Sequence, residues 1–236
     1  GTWTRVQKNL RLLQKAGVEC NLLCVVTRRC AKSAVRTYHA LQKTGVRYLQ
    51  FIPCLDPLGE PRGRRPWSLT PEDYGTFLCS LFDEWYRDWA AGRYTSVRLF
   101  DDYVHLAMGL PAGTCATSGS CGAYAVVEGD GSVYPCDFFA LDEWKLGNIH
   151  QTPLAALSAG RREQEFLQEG LDHPAPCAAC RWQALCQGGC KRDWTTGAQG
   201  GRQNYYCAAF QKFFAHAEPR LRQIAAAEQR ARRMGL

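Results

Sequence analysis

The stretch Cys177-Ala-Ala-Cys180-Arg-Trp-Gln-Ala-Leu-Cys186-Gln-Gly-Gly-Cys190 spaces four thiols as C-x2-C-x5-C-x3-C. Upstream, Cys115, Cys121 and Cys136 follow C-x5-C-x9-G-x4-C, with Gly131 as the interior glycine, and Asn204-Tyr205-Tyr206-Cys207 closes the series. These eight thiols make two sets of four, and a cubane 4Fe–4S cluster takes four thiolates. Electron transfer is therefore the leading functional reading. Structural zinc is a rival, since zinc sites commonly pair two C-x2-C knuckles or recruit histidine. Only Cys177–Cys180 is such a knuckle, and no histidine joins the spacing. Gly188 and Gly189 before Cys190, and Gly131, suit close approach of backbone to a cluster.

Working outward, the chain has 236 residues, 46% of them hydrophobic and 22% charged, enough for one large domain or two small ones. Thirteen cysteines could mark a disulfide scaffold, but such secreted scaffolds are usually shorter and poorer in core residues. No basic-then-apolar leader opens the sequence, so a reducing cytoplasm is expected, where thiols remain available to metal. No apolar run reaches about eighteen residues, and no membrane span is expected. The net charge of +7 owes much to Arg220, Arg222, Arg230, Arg232 and Arg233 near the end. They read as a solvated helix face, without a nucleic-acid motif beside them.

The first part alternates helix and strand. Val6, Leu10 and Leu13 recur at helical spacing before Gly17, and the apolar run from Cys20 to Val26 reads as a strand buried on both faces. A helix over 34–43 and a strand over 48–52, closed by Pro53, complete an α-β-α-β order that implies parallel strands. Pro71 starts a long helix capped by Ser68 or Thr70, with Phe77, Leu78, Leu81, Phe82, Trp85 and Trp89 on its apolar face. A strand around 97–100 and a helix over 101–108 follow. Near Leu110 the composition turns Gly-, Ser- and Cys-rich. Residues 124–128 and 132–134 then form a hairpin across Gly129-Asp130-Gly131, which would bring Cys121 and Cys136 together. A helix over 153–168 precedes the cysteine cluster, and a long helix follows Cys207. The expected domains are 1–110 and 111–236.

Other candidates carry two readings each. Cys20-x3-Cys24 resembles the start of a C-x3-C-x2-C cluster loop, but the next cysteine, Cys30, comes after five residues, not two. With Cys54 and Cys79, these read as buried structural thiols. Asp137, next to Cys136, is either a solvated loop carboxylate or a general base beside a redox centre. The segment Phe51-Ile52-Pro53-Cys54-Leu55-Asp56-Pro57 lies where a parallel strand ends, a usual rim for ligand sites. A plain turn made by two prolines explains it equally well. Arg98, Asp101 and Asp102 end the next expected strand and either meet a polar substrate or form an interhelical salt bridge.

With these motifs the sequence resembles the C-terminal two-thirds of an anaerobic sulfatase-maturating enzyme, a radical S-adenosylmethionine (SAM) family with a SPASM domain. The spacing of Cys121, Cys136, Cys177, Cys180, Cys186, Cys190 and Cys207 matches the SPASM pattern, and Cys115 is an eighth ligand. Flanking blocks fit too: Leu23 to Thr27, Gln50 to Pro57, Asp130 to Phe138, Leu146-Gly147-Asn148-Ile149 and Asn204 to Cys207. The resemblance implies an α/β fold: the C-terminal part of a partial (β/α)6 radical SAM barrel, then a Cys-rich SPASM domain with a β-hairpin and helices. It implies that Cys115, Cys121, Cys136 and Cys190 hold one auxiliary 4Fe–4S cluster, and Cys177, Cys180, Cys186 and Cys207 a second. Asp137 falls at the family's proposed base, and Leu55 where the family contacts the adenine of SAM.

The implied reaction converts a Cys or Ser of a sulfatase polypeptide to Cα-formylglycine. A 5′-deoxyadenosyl radical removes a β-hydrogen, a base takes the thiol or hydroxyl proton, and the remaining electron leaves through the auxiliary clusters. A flavodoxin or ferredoxin would serve as electron donor under anaerobic conditions. One departure stands out: the C-x3-C-x2-C motif for the third, SAM-cleaving 4Fe–4S cluster is absent. The chain is therefore expected to be a piece of a longer enzyme, unable by itself to cleave SAM. The alternatives are a SPASM maturase of a ribosomally made peptide and a zinc-stabilised binding module.

Overall fold

The structure, a computed structural model, describes residues 1–122, 124–197 and 200–235. The chain divides into two compact units: Gly1–Leu110 with Tyr206–Leu236, and Pro111–Tyr205. The end of the chain, Tyr206–Leu236, packs with the first hundred and ten residues, whereas the sequence reading groups it with 111–205.

In the first unit the order is α1 (Thr2–Lys15), β1 (Asn21–Val26), α2 (Arg28–Ala31), α3 (Ala34–Gln42), β2 (Tyr48–Pro53), α4 (Pro71–Ala90), β3 (Ser96–Val97) and α5 (Arg98–Ala107). β1 pairs with β2 in parallel, from Asn21↔Tyr48 to Val26↔Pro53, and β2 pairs with β3 in parallel. Parallel pairing needs crossovers, and the helices between the strands supply them. β1 is an edge strand of this sheet. The expected burial of both its faces does not hold: Leu23 is 58% and Val25 54% exposed, and only Val26 is buried. An apolar run reports composition, and among the described residues nothing covers that face. β3 is shorter and earlier than expected, because Arg98 already belongs to α5.

α4 forms where the sequence places it. Thr70 accepts a hydrogen bond from the Asp73 amide at 3.2 Å, and Pro71 occupies the first turn, where its missing N–H costs nothing. α10 (Cys207–Arg233) packs on it. The approach is close at Gly75, where a Cβ would stand 3.1 Å from Ala209 Cα. Phe82, Phe100 and Phe213 interlock there, with ring centroids 5.2–5.6 Å apart. The outer rim is tied by Asp83, which accepts from Arg220 at 2.8 Å and His216 at 2.7 Å. Arg220 is thus engaged in packing rather than on a free basic face. A buried polar cluster centres on Asp88, which accepts from Tyr38, Gln42 and Arg93.

The second unit is built from short elements. They are α6 (Cys115–Ser118), the antiparallel strands β4 (Val126–Val127), β5 (Ser132–Tyr134) and β6 (Gly147–Asn148), then α7 (Leu154–Ser158) and α8 (Arg161–Leu171). α9 (Gln183–Cys186) and the hairpin β7 (Trp194–Thr196) with β8 (Arg202–Asn204) complete it. One helix over 153–168 is expected; two are found. Gly160 adopts extended backbone (φ −72°, ψ 160°) and separates them. Among the described residues no helix is long and apolar enough to cross a membrane.

Candidate functional site

The expected hairpin forms, pairing Val126↔Tyr134 and Val127↔Val133, and β6 adds to its other side. Asp130 sets the turn, its carboxylate accepting from the Ser132 amide at 2.9 Å and hydroxyl at 2.8 Å. With Val133 and Tyr134 buried, β5 delivers Cys136 into the interior, 8% exposed. α8 packs on Cys121. At Gly170 a Cβ would stand 2.6 Å from Cys121 Sγ, so that position tolerates only hydrogen. His173 Nε2 donates to the Gly119 carbonyl at 2.6 Å, tying the loop before Cys121 to the segment after α8. Cys190 accepts from the Arg192 amide at 3.4 Å.

Cys115 and Cys136 act on the ionisation of both Cys121 and Cys190. Burial pushes the Cys121 thiol up to about 11, with Lys191 opposing and Cys115 and Cys136 adding to the rise. Burial also pushes Cys190 up, with Asp193, Cys115 and Cys136 contributing, and it raises Cys136 against a hydrogen bond from Tyr124. Among the described residues no three His, Cys, Asp or Glu side chains meet around one metal ion. The donor set nevertheless has the chemistry of an iron–sulfur group: four thiols lie within a single unit, and Cys115 and Cys136 act electrostatically on both Cys121 and Cys190. Close by, the buried Oε2 of Glu163 has no hydrogen-bond partner. Burial raises the Glu163 carboxyl above its ordinary range.

Cys177, Cys180 and Cys186 run along one ladder of turns. The Cys180 amide donates to the Cys177 carbonyl at 3.1 Å, Gln183 to Cys180 at 3.0 Å, and Gly189 to Cys186 at 3.2 Å. Cys207 opens α10 and belongs to the first unit. Gly131 and Gly188 have a nearer reason to be glycine than a cluster. Both have positive φ, and a Cβ there would meet His150 at 2.6 Å and His173 at 2.5 Å respectively.

Asp137 is exposed at the start of a short 3-10 turn after Cys136. Its Oδ1 accepts from the Tyr124 hydroxyl at 3.0 Å, and the same hydroxyl lies 3.5 Å from Cys136 Sγ. Leu55 is half-buried, two residues beyond the end of β2. Leu55 thus lies in the connection between β2 and α4, with β3 of the same sheet still to follow in the chain. The loop bearing it is clamped by buried Asp56, which accepts from Ser68, from the Gly63 amide at 3.0 Å, and pairs with Arg62 at 3.4 Å. Arg98, Asp101 and Asp102 lie on α5, where Asp101 accepts from Tyr94 and Ser96.

The five remaining cysteines are half-buried rather than fully buried, and Cys24 and Cys30 bring their sulfurs within 4.0 Å. Sequence reading missed Glu163, Lys191 and Tyr124. The first was accessible: Glu163, Phe166 and Gly170 share one helix face at i, i+3 and i+7.

Residues 120–181 match the SPASM family, an iron–sulfur cluster-binding domain. A cysteine-type anaerobic sulfatase-maturating enzyme of Clostridium novyi is 39% identical over 91% of this chain and 58% of its own length. A serine-type enzyme of Bacteroides thetaiotaomicron is 28% identical over 92% of this chain and 56% of its own. The chain resembles the C-terminal part of an anaerobic sulfatase-maturating enzyme. A solved structure described as native anSMEcpe with bound AdoMet and Kp18Cys peptide superposes with TM-score 0.90 and 39% identity, over 96% of this chain and 63% of that one. The fold is thus that of the end of a radical SAM partial barrel with a SPASM domain, as the sequence reading expects. The chain spans about three fifths of the length of these maturating enzymes (58% of the Clostridium novyi one).

Proposed function

We propose that this chain serves in a radical SAM oxidoreductase that converts a cysteine or serine of a sulfatase polypeptide to Cα-formylglycine. The observation that carries the reading is Asp137 directly after buried Cys136, whose sulfur lies 3.5 Å from the Asp137 carboxylate. Identity of 39% to the cysteine-type enzyme against 28% to the serine-type favours cysteine as the oxidised side chain. In this reading Cys115, Cys121, Cys136 and Cys190 hold one auxiliary 4Fe–4S cluster, and Cys177, Cys180, Cys186 and Cys207 the other. When bound, these clusters supply electron acceptance, while SAM with a third cluster supplies hydrogen abstraction. The C-x3-C-x2-C loop for that third cluster is not in this sequence, so the chain alone should not cleave SAM.

The chain's own contribution is to hold and move a proton. The Tyr124 hydroxyl occupies one oxygen of Asp137 at 3.0 Å. That bond orients the carboxylate and leaves its second oxygen to accept the proton of the substrate thiol or hydroxyl. Losing the proton raises electron density on the substrate and makes its oxidation easier. Leu55, beyond the carboxyl end of β2, would line the adenine of SAM. The partners in this reading are a sulfatase polypeptide and a flavodoxin- or ferredoxin-like electron donor.

The test uses the complete protein, reconstituted anaerobically with iron and sulfide, and follows formylglycine in a sulfatase peptide by mass spectrometry. Asp137→Asn should keep its iron and lose turnover by on the order of 10²- to 10⁴-fold. Unchanged turnover removes Asp137 from the mechanism. Zinc without sulfide sinks the redox account, and modification of a short precursor peptide alone sinks the sulfatase assignment.

A further inference from the structure

Lys191 directly follows Cys190, yet its side chain is only 6% exposed. Its ammonium lies 3.6 Å from the ring centroid of Phe166, 4.8 Å from that of Trp144 and 5.0 Å from that of Phe139. It donates to the Phe166 carbonyl at 3.1 Å and to Glu169 Oε2 at 3.3 Å. A lysine that merely covered apolar surface would snorkel, keeping its charge in water. This one turns its head inward, where three ring faces and a carbonyl replace part of its hydration. Among the described residues its carboxylate partner is Glu169, 58% exposed, so water screens that counter-charge and leaves the buried side of the ammonium only partly neutralised.

The cage stands against the first four-thiol set. Phe139 lies three residues beyond Cys136, and Phe166 and Glu169 are on the turn of α8 whose Gly170 packs on Cys121. Lys191 is the charge that opposes burial at the Cys121 thiol, while Glu163 acts there, and Asp193 at Cys190, in the other direction.

We propose that Lys191 acts on the reaction through the cluster, as a fixed positive charge that raises the reduction potential of the 4Fe–4S group held by Cys115, Cys121, Cys136 and Cys190. This rests on the cluster assignment above. A thiolate-bound cluster gains a negative charge on reduction, and a nearby cation in a medium of intermediate dielectric stabilises the reduced state.

The experiment is an EPR-monitored redox titration of the complete, anaerobically reconstituted protein, with iron and sulfide counted alongside. The potential belonging to this cluster is identified as the signal lost in Cys190→Ala. Lys191→Met should shift its one-electron equilibrium about tenfold toward oxidised, a fall of about 59 mV, with iron content kept and the second cluster unmoved. Lys191→Arg should stay near the wild type. Glu169→Gln, a change at an exposed site, should move the potential upward by removing the screened counter-charge. An unmoved potential in fully loaded Lys191→Met overturns the inference, as does Lys191→Arg falling equally far. If Lys191→Met fails to load, Glu169→Gln decides: an upward shift supports the inference and no shift overturns it. A wild type without sulfide overturns the cluster reading and this inference together.

Discussion

In the unit of Gly1–Leu110 and Tyr206–Leu236, Phe82, Trp85, Phe100, Tyr103, Phe213 and Phe214 interlock between α4, α5 and α10 with almost no exposure. In the unit Pro111–Tyr205, the buried hydrophobics among the described residues are Val133, Tyr134, Cys136, Leu157, Phe166 and Leu185, spread over one three-residue strand, the turn after it and three helices. The first unit has an ordinary apolar core. The second has the thin core of small domains that rely on disulfides or metals. The contrast teaches where cluster binding and folding are coupled: thiolate ligation would supply in the second unit what aromatic packing supplies in the first.

The largest expected effect breaks the comparison outright. Chelating iron from the reconstituted protein should open residues 111–205 to protease while the first unit stays protected. Mapping the cleavage sites by mass spectrometry checks it, and equal protection of both units would refute the contrast. Next, Phe213→Ala should cost about 3–5 kcal/mol in urea unfolding and leave iron and sulfide unchanged. Gly170→Ala sharpens the second half. The added methyl would raise helix propensity by about 1 kcal/mol, but it meets Cys121 Sγ at 2.6 Å and the Cys121 amide nitrogen at 3.2 Å. Overpacking of about 1–3 kcal/mol should win, with iron lost from one cluster in metal analysis.

The smallest effect is a pH dependence in the first unit. Burial pushes the Asp88 carboxyl up, yet hydrogen bonds from Gln42, Arg93 and Tyr38 hold it below its ordinary value. Its stabilisation is therefore complete above the unfolded carboxylate value of about 3.9 and fades as pH falls through the lower folded value. Asp88→Asn should flatten that acid limb in urea midpoints measured against pH.

Much of the fold was legible locally. α4 could be read because Thr70, Pro71 and an apolar stripe agree, and the hairpin because Gly129-Asp130-Gly131 separates two apolar arms. β6 was not, since two residues show no alternation and its pairing with Ser132 and Val133 is nonlocal. The break at Gly160 had a signal, a glycine inside a helical pattern, but deciding whether it ends the helix depends on packing. The exposed face of β1 illustrates the same limit, because hydrophobicity does not name the surface that covers it.

The sequence by itself determined which thiols exist, at what spacing, and that Asp137 adjoins one of them, because covalent order sets donor chemistry directly. Only the tertiary structure decided that Gly170 of α8 packs on Cys121, that Tyr124 holds Asp137, and that Lys191 turns inward against α8. Those outcomes follow from strand register and from the approach of α8 at Gly170, contacts between residues distant in sequence that no local pattern encodes.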